Sequence, residues 1–140
     1  MITFNTINAP MPDIDPARIS AWVGEVAASY GRKVGDVAYI FCDDSKILEV
    51  NRLHLRHDYY TDIITFDYTE GKRIGGDIFI SLDTVRSNAG EQGTDYREEL
   101  HRVIIHGILH LCGEKDKAPG ERKQMEAAEN RALELIANGR

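Results

Sequence analysis

One stretch of the chain decides its fold, and it covers residues 100–116, LHRVIIHGILHLCGEKD. Upstream of it, Asp95 and Glu98 form the capping-box pattern that opens a helix, and downstream Gly113 is a typical helix terminator. The apolar residues in between cover several faces of a helix, as is typical of a helix buried in a core. They are Leu100, Val103, Ile104, Ile105, Ile108, Leu109 and Leu111. The stretch therefore predicts a central, largely buried helix.

Two histidines on this predicted helix have the spacing of metal ligands. His106 and His110 are four residues apart, so both imidazoles leave the same helix face and can share a divalent cation. Gly113 permits a left-handed turn, which can fold Asp116 back toward the same cation. The sequence thus predicts a metal site made by His106, His110 and Asp116, with a fourth position open. Glu114 is a rival for the third ligand.

Neighbouring residues restrict the chemistry of this predicted site. Gly107 stands where zinc metalloproteases of the His-Glu-x-x-His type carry their general base, which disfavours peptide hydrolysis. His101, five residues before His106, points well round the helix and is not expected to be a ligand. Cys112 is expected to point away from the ligands into an apolar environment.

The rest of the chain alternates between short apolar strands and amphipathic helices. Helix-start signals are Asp15-Pro16, Asp43-Asp44, Ser81 and Pro119-Gly120. Strand patterns occur at residues 1–7, 37–41, 63–68 and 77–81, and helical patterns follow Pro16, cover residues 45–55 and 81–88, and follow Gly120. This order predicts an α+β fold, a small mixed β-sheet covered by helices around the metal-binding helix. Its length predicts a single domain, residues 1–140.

Composition excludes several classes of protein. Hydrophobic residues make up 42% and charged residues 29% of the 140 residues, as in globular proteins and not in disordered chains. No apolar run approaches the roughly 18 residues that span a membrane, so no membrane partner is expected. The N-terminal residues carry no secretory signal pattern, and two cysteines form no disulfide framework. Together these features predict a cytoplasmic protein.

The charge distribution leaves room for an anionic partner. The net charge of −6 argues mildly against non-specific binding to nucleic acid. Residues 51–57, however, contain Arg52, His54, Arg56 and His57 and no acidic residue. A local cationic site is therefore expected on an acidic protein.

Three motifs in the same order carry a resemblance to a known family. The first consists of His106, Gly107, Leu109, His110, Leu111 and Gly113, the second of Asn51, Arg56, Asp58 and residues 61–66, and the third of residues 76–81. Over residues 34–117 the chain resembles the YbeY family of rRNA-maturation endoribonucleases. The resemblance implies one zinc ion per chain, bound by His106, His110 and Asp116.

The third ligand departs from the family pattern. The family usually has a histidine ten residues after the first ligand, and here that position is Asp116. Aspartate binds zinc well through oxygen, so the site is expected to persist. Its negative charge should make bound water somewhat less acidic than three neutral imidazoles would.

The resemblance also assigns a role to Arg56, as the residue that serves catalysis or holds phosphate. A guanidinium suits this role because it can bind two phosphate oxygens and stabilise charge that develops at phosphorus. Asp62, just before a strand, is interpreted as bonding backbone amides, and Asp77, at the start of a strand, as supporting the loop beneath the metal. Orientation of His106 or His110 is the alternative role for these two aspartates.

The function that the resemblance implies is a zinc-dependent, single-strand-specific endoribonuclease. It would act in maturation of the 16S rRNA 3′ end and in ribosome quality control, with single-stranded RNA, rRNA and the ribosomal small subunit as partners and no DNA. Two alternatives remain open: another metallohydrolase, such as a minimal peptidase, and a ribosome-associated binding module with a structural metal. Structural zinc sites usually have four protein ligands, whereas three are found here.

Overall fold

Four strands form one mixed sheet in the computed structural model, which describes residues 1–55 and 61–137. They are β1 (Ile2–Ile7), β2 (Lys33–Cys42), β3 (Ile63–Asp67) and β4 (Arg73–Ser81). Their order across the sheet is β1-β2-β4-β3. Strands β1, β2 and β4 are parallel, whereas β3 pairs with β4 in antiparallel register. The predicted mixed sheet is therefore confirmed.

Five α-helices surround this sheet in the described part of the chain. They are α1 (Pro16–Ser29), α2 (Asp44–Val50), α3 (Leu82–Gln92), α4 (Tyr96–Leu111) and α5 (Pro119–Ala137), and a π-helical turn, Asn51–Leu55, continues α2. Parallel neighbours in a sheet need long crossover connections, and α1 provides the one between β1 and β2. The element order agrees with the predicted α+β class.

Strand β4 shows how the helices are divided between the two faces of the sheet. Ile78 and Ile80 belong to the main core, which contains residues of α1, α4 and α5. Phe79 packs against a smaller cluster that contains Ile47 and Val50 of α2. Because successive side chains of a strand point to opposite faces, α4 lies on one face of the sheet and α2 on the other.

Helix α4 is the central helix that the sequence predicts. It packs against α1, α3, α5, β3 and β4. Ile104, Ile105 and Ile108 are completely buried, and Leu109 is 1% exposed. Burial on several sides explains why apolar residues cover most of this helix.

The helix caps follow the predicted residues. The Asp15 carboxylate accepts a hydrogen bond from the Arg18 N–H, and the Asp95 carboxylate accepts one from the Glu98 N–H, with N–O distances of 3.2 and 3.3 Å. The Ser81 hydroxyl likewise accepts the Thr84 N–H at 3.3 Å. These contacts satisfy amides that have no partner within their own helix.

Several element boundaries differ from the predicted ones. Strands β2 and β4 begin at Lys33 and Arg73, earlier than expected, because these two residues pair with each other and a bulge follows at Val34–Val37. Helix α3 extends to Gln92, where Gly93 caps it in the left-handed conformation. The predicted helix over residues 45–55 changes to π-helical geometry after Val50.

Both cysteines are buried free thiols. Burial raises the pKa of Cys42 to about 12 and that of Cys112 to about 11, so both are protonated near neutral pH. The apolar environment expected for Cys112 is confirmed, because it belongs to the main core.

Among the described residues, no helix combines the length and the apolar character needed to cross a membrane.

Candidate metal centre

Three side chains converge at the C-terminal end of α4. The Nε2 atoms of His106 and His110 each lie 3.3 Å from the same oxygen, Oδ2 of Asp116. One ligand atom from each residue can be chosen so that all three lie within 4.8 Å of one another. Their side chains are 19%, 30% and 30% exposed, respectively, so the group is open to solvent on one side. The three residues that the sequence spacing predicts as ligands could therefore hold one metal ion.

The return of Asp116 depends on how α4 ends. Gly113 has a φ of 105°, in the region that favours glycine. Its N–H donates to the His110 carbonyl, and the Glu114 N–H donates to the Leu109 carbonyl, both at 3.0 Å. The chain thus reverses within three residues and brings Asp116 beside the histidines, as the sequence predicts.

The outer nitrogen of each histidine also has a partner. His106 Nδ1 lies 2.6 Å from Glu129 Oε2, and His110 Nδ1 lies 3.1 Å from the Glu114 carbonyl oxygen. A carboxylate and a carbonyl can only accept, so each Nδ1 carries the hydrogen in the neutral ring. The Nε2 lone pairs are then left free toward Asp116, which is the arrangement that metal ligation requires.

Glu129 is the residue of this site that the sequence interpretation missed. It lies on α5, and the residue is 8% exposed. Its second oxygen, Oε1, accepts a hydrogen bond from Arg102 Nη1 at 2.8 Å. The available signal was an acidic residue beside the apolar positions Met125, Ala128 and Ala132, since acidic residues are rarely buried without partners.

The acidic surroundings favour the charged form of His106 in the metal-free protein. Burial alone would lower its pKa, but the hydrogen bond and the charge of Glu129, with the charges of Asp116 and Asp62, outweigh burial and raise the pKa. Burial raises the pKa of Asp62, and the charge of His106 opposes this shift. A bound cation would replace the proton that these acidic groups attract.

Other candidate residues have partners of their own. The Glu114 carboxylate accepts a hydrogen bond of 2.6 Å from the Tyr30 hydroxyl. Asp62 accepts a bond of 3.4 Å from Asn88 Nδ2, and Asp77 lies in the sheet between Ala38 and Phe66. Because Glu129 and the Glu114 carbonyl contact the two Nδ1 atoms, the ring orientation does not come from the two aspartates. Arg56 lies outside the described residues.

Gly107 lies at a close approach of α4 to the sheet. A Cβ atom there would be 3.0 Å from two side-chain carbons of Ile78 and 3.2 Å from Cδ1 of Ile63. Any side chain here would therefore require Ile78 and Ile63 to shift. The close packing thus agrees with the glycine at this position, and the absence of a base here disfavours peptide hydrolysis.

Two imidazoles, a carboxylate and an open fourth side are the composition of a hydrolytic metal centre. The fold and the site together define the chain as a metallohydrolase candidate of the α+β class. The chain belongs to the YbeY endoribonuclease family, since the family model described as "Endoribonuclease YbeY" matches residues 7–137.

Individual relatives are similar to this chain over nearly its whole length. The chain is 66% identical over 137 residues to "Endoribonuclease YbeY" of Phocaeicola vulgatus. The alignment covers 98% of this chain and 99% of the relative. It is 62% identical over 134 residues to the protein of the same name from Bacteroides thetaiotaomicron, covering 96% and 98%. The resemblance noted in the sequence is therefore confirmed.

A solved structure supports the fold independently. The solution structure of TM1509 from Thermotoga maritima is similar with a TM-score of 0.70 and 25% identity, covering 97% of this chain and 89% of that one. The family is one of hydrolases named for cutting RNA internally, which disfavours both the peptidase and the non-enzymatic binding module.

Proposed function

We propose that this chain is a zinc-dependent endoribonuclease that cleaves single-stranded RNA. It acts in maturation of the 16S rRNA 3′ end and in ribosome quality control, in the cytoplasm, with rRNA and the ribosomal small subunit as partners and without DNA. Residues 1–140 serve as one metallohydrolase domain. The observation that carries the proposal is the convergence of two histidine Nε2 atoms on one oxygen of Asp116.

The donor atoms fit zinc. Catalytic zinc sites commonly combine two histidines and a carboxylate and leave one position open, whereas structural sites are closed by a fourth protein ligand. The described residues contain one such group, made by His106, His110 and Asp116, which corresponds to one zinc ion per chain. When bound, zinc would polarise a phosphate oxygen and acidify a water molecule.

The protein residues supply binding and orientation. His106 and His110 in their neutral forms direct Nε2 lone pairs at the metal position, while Asp116 adds a negative charge that reduces the net positive charge of the centre. Arg56 holds the scissile phosphate through two parallel N–H donors, and the cationic segment 51–57 attracts the RNA strand. The open side of the ligand group leaves space for the phosphate.

Metal analysis of the purified protein, combined with an RNA-cleavage assay, tests this function. We expect about one zinc per chain and chelator-sensitive cleavage of single-stranded RNA. His110→Ala should lose both zinc and cleavage. The matched control, His101→Asn, changes a histidine of the same helix whose ring contacts Trp22, and it should keep both. Normal cleavage by the His110→Ala variant would contradict the proposal.

The role of Arg56 has its own test. Arg56→Ala should reduce RNA cleavage by about 10²–10³-fold, as for loss of one donor that stabilises transition-state charge. Arg56→Lys should not restore the rate, because lysine lacks the planar pair of donors. Zinc content and melting temperature should stay near those of the parent protein, as should all properties of the exposed control Arg122→Ala. Cleavage at the parent rate by Arg56→Ala would show that Arg56 is a surface residue without a role in cleavage.

The peptidase alternative is separated by substrate. Unstructured peptides and single-stranded RNA are incubated with the protein, each with and without chelator. Cleavage of RNA alone supports the proposed function, and chelator-sensitive cleavage of peptides alone would replace it.

A further inference from the structure

We infer that Glu129 is a positioning residue of the metal centre, which fixes the ring of His106 with Nε2 directed at the metal. The inference rests on the proposed metal function and names a residue outside the ligand set. Its basis is a continuous series of side-chain contacts that starts at the ligand His106 and ends on the surface of α5.

The first contact in this series joins the two helices at the ligand itself. Glu129 Oε2 lies 2.6 Å from His106 Nδ1, at the short end for a hydrogen bond between nitrogen and a carboxylate. This bond selects the tautomer with hydrogen on Nδ1 and prevents rotation of the ring. A carboxylate acceptor also makes the ring a stronger electron donor at Nε2, as in other metal sites with a carboxylate behind the histidine.

The next contacts hold Glu129 in place. Arg102 lies one helical turn before His106 on α4, and it donates to Glu129 Oε1 at 2.8 Å and to Asn130 Oδ1 at 2.8 Å. The side chain of Glu129 is only 10% exposed, so the hydrogen bonds with His106 and Arg102 are needed to compensate the burial of its negative charge. Its two oxygens therefore hold Glu129 in place as the acceptor for His106 Nδ1.

The two histidines differ in a way that a purely structural role of Glu129 does not explain. The partner of His110 is a neutral backbone carbonyl, whereas the partner of His106 is a carboxylate. The hydrogen bonds of Arg102 to Glu129 and Asn130 already link α4 to α5, yet the other carboxylate oxygen of Glu129 is directed at the ligand His106. We therefore expect Glu129 to matter for metal affinity beyond its effect on stability.

Zinc affinity, measured by competition with a chelator of known affinity, tests the inference without an activity assay. Glu129→Ala removes the acceptor and should weaken zinc binding by about 10–100-fold. Glu129→Gln keeps an acceptor oxygen without the charge, so its affinity should lie between those of Glu129→Ala and the parent protein. Glu134→Gln removes an exposed carboxylate from the same helix and should leave zinc affinity unchanged.

Two further measurements separate positioning from structural support. Nitrogen-15 NMR of the metal-free proteins, at a pH where the His106 ring is neutral, reports which ring nitrogen of His106 carries hydrogen, and we expect the Nδ1–H tautomer to decrease in Glu129→Ala. Arg102→Met removes the hydrogen bonds of Arg102 to Glu129 and Asn130 but spares the bond between Glu129 and His106. It should therefore lower the melting temperature, while its zinc affinity should stay closer to that of the parent protein than the affinity of Glu129→Ala does.

Unchanged zinc affinity in Glu129→Ala, with only a lower melting temperature, would overturn the inference. If the parent protein itself binds no zinc, the proposed function fails instead. In that case an unchanged His106 tautomer in metal-free Glu129→Ala would still overturn the positioning role.

Discussion

Asp116 carries the third ligand atom of the proposed centre, and its contribution can be measured directly. Because its Oδ2 contacts both histidine Nε2 atoms, Asp116→Ala should lower zinc occupancy sharply. Asp116→His, which introduces the residue usual in the family, should keep zinc bound. Metal content after dialysis against a weak chelator is the measurement.

Glu114 provides the control for this experiment. Its carboxylate bonds to Tyr30 and its carbonyl to His110, so Glu114→Gln removes the charge and preserves the backbone contact. Zinc occupancy of Glu114→Gln should equal that of the parent protein. Full occupancy in Asp116→Ala together with loss in Glu114→Gln would make Glu114 the third ligand.

His101 should make the protein sensitive to acid. Burial, with the charges of Arg18 and Arg97, lowers its folded pKa below the ordinary value of 6.5. The unfolded state therefore binds the proton more readily, and stability that is fully present above pH 6.5 is lost as the pH falls through the lowered folded pKa. His101→Phe, which keeps a ring beside Trp22, should lose less stability than the parent over this range.

Urea unfolding of the metal-free parent and of His101→Phe at a series of pH values checks this expectation. The raised pKa of His106 acts in the opposite direction and is present in both proteins, so the difference between them isolates His101. Parallel pH profiles for the two proteins would show that His101 does not contribute.

Local sequence spacing was sufficient to predict that the three candidate ligands converge, but not which residue supports them. His106, His110 and Asp116 lie within eleven residues, and helix geometry with one glycine determines their placement. Glu129 is 23 residues away from His106 and reaches it only because α5 packs on α4. The role of Arg56 remains a prediction.

Close contact between α4 and the sheet makes Gly107 a sensitive position of the fold. A methyl group at Gly107 would press on Ile78 and Ile63, so Gly107→Ala should destabilise the protein by about 1–3 kcal/mol despite the better helix propensity of alanine. Gly90 of α3 has open space around it, and Gly90→Ala should stabilise by about 0.5–1 kcal/mol. Equal effects of the two substitutions in denaturant unfolding would contradict the close packing.

A substitution at Leu109 tests how deeply α4 is buried. The residue is 1% exposed, and Leu109→Ala should lower the free energy of unfolding by about 2–5 kcal/mol. Chemical denaturation measures this loss. A value below about 1 kcal/mol would place this part of α4 near the surface.

Helices were easier to predict from the sequence than strand ends. Caps such as Asp15, Ser81 and Asp95 act through contacts three residues away, so their signal is local. The first residues of β2 and β4 are strand because Lys33 pairs with Arg73, forty residues later in the chain. Such pairing has no counterpart in the local pattern of either segment.

At the scale of the whole molecule, the position of α4 links the fold to the proposed chemistry. Its apolar surface packs on the sheet and on other helices, and its last two turns direct the two histidines toward Asp116 and α5. Composition and element order predicted the α+β class. The strand order β1-β2-β4-β3 was not predictable, because it depends on crossover connections between distant segments.

Stepwise addition of zinc to the metal-free protein, with cleavage of single-stranded RNA followed at each step, tests the central claim most directly. A single centre made by His106, His110 and Asp116 predicts that cleavage is absent without metal, rises in proportion to added zinc and levels off at about one zinc per chain. Full cleavage by the metal-free protein, or cleavage that never appears when one zinc is bound per chain, would contradict the account.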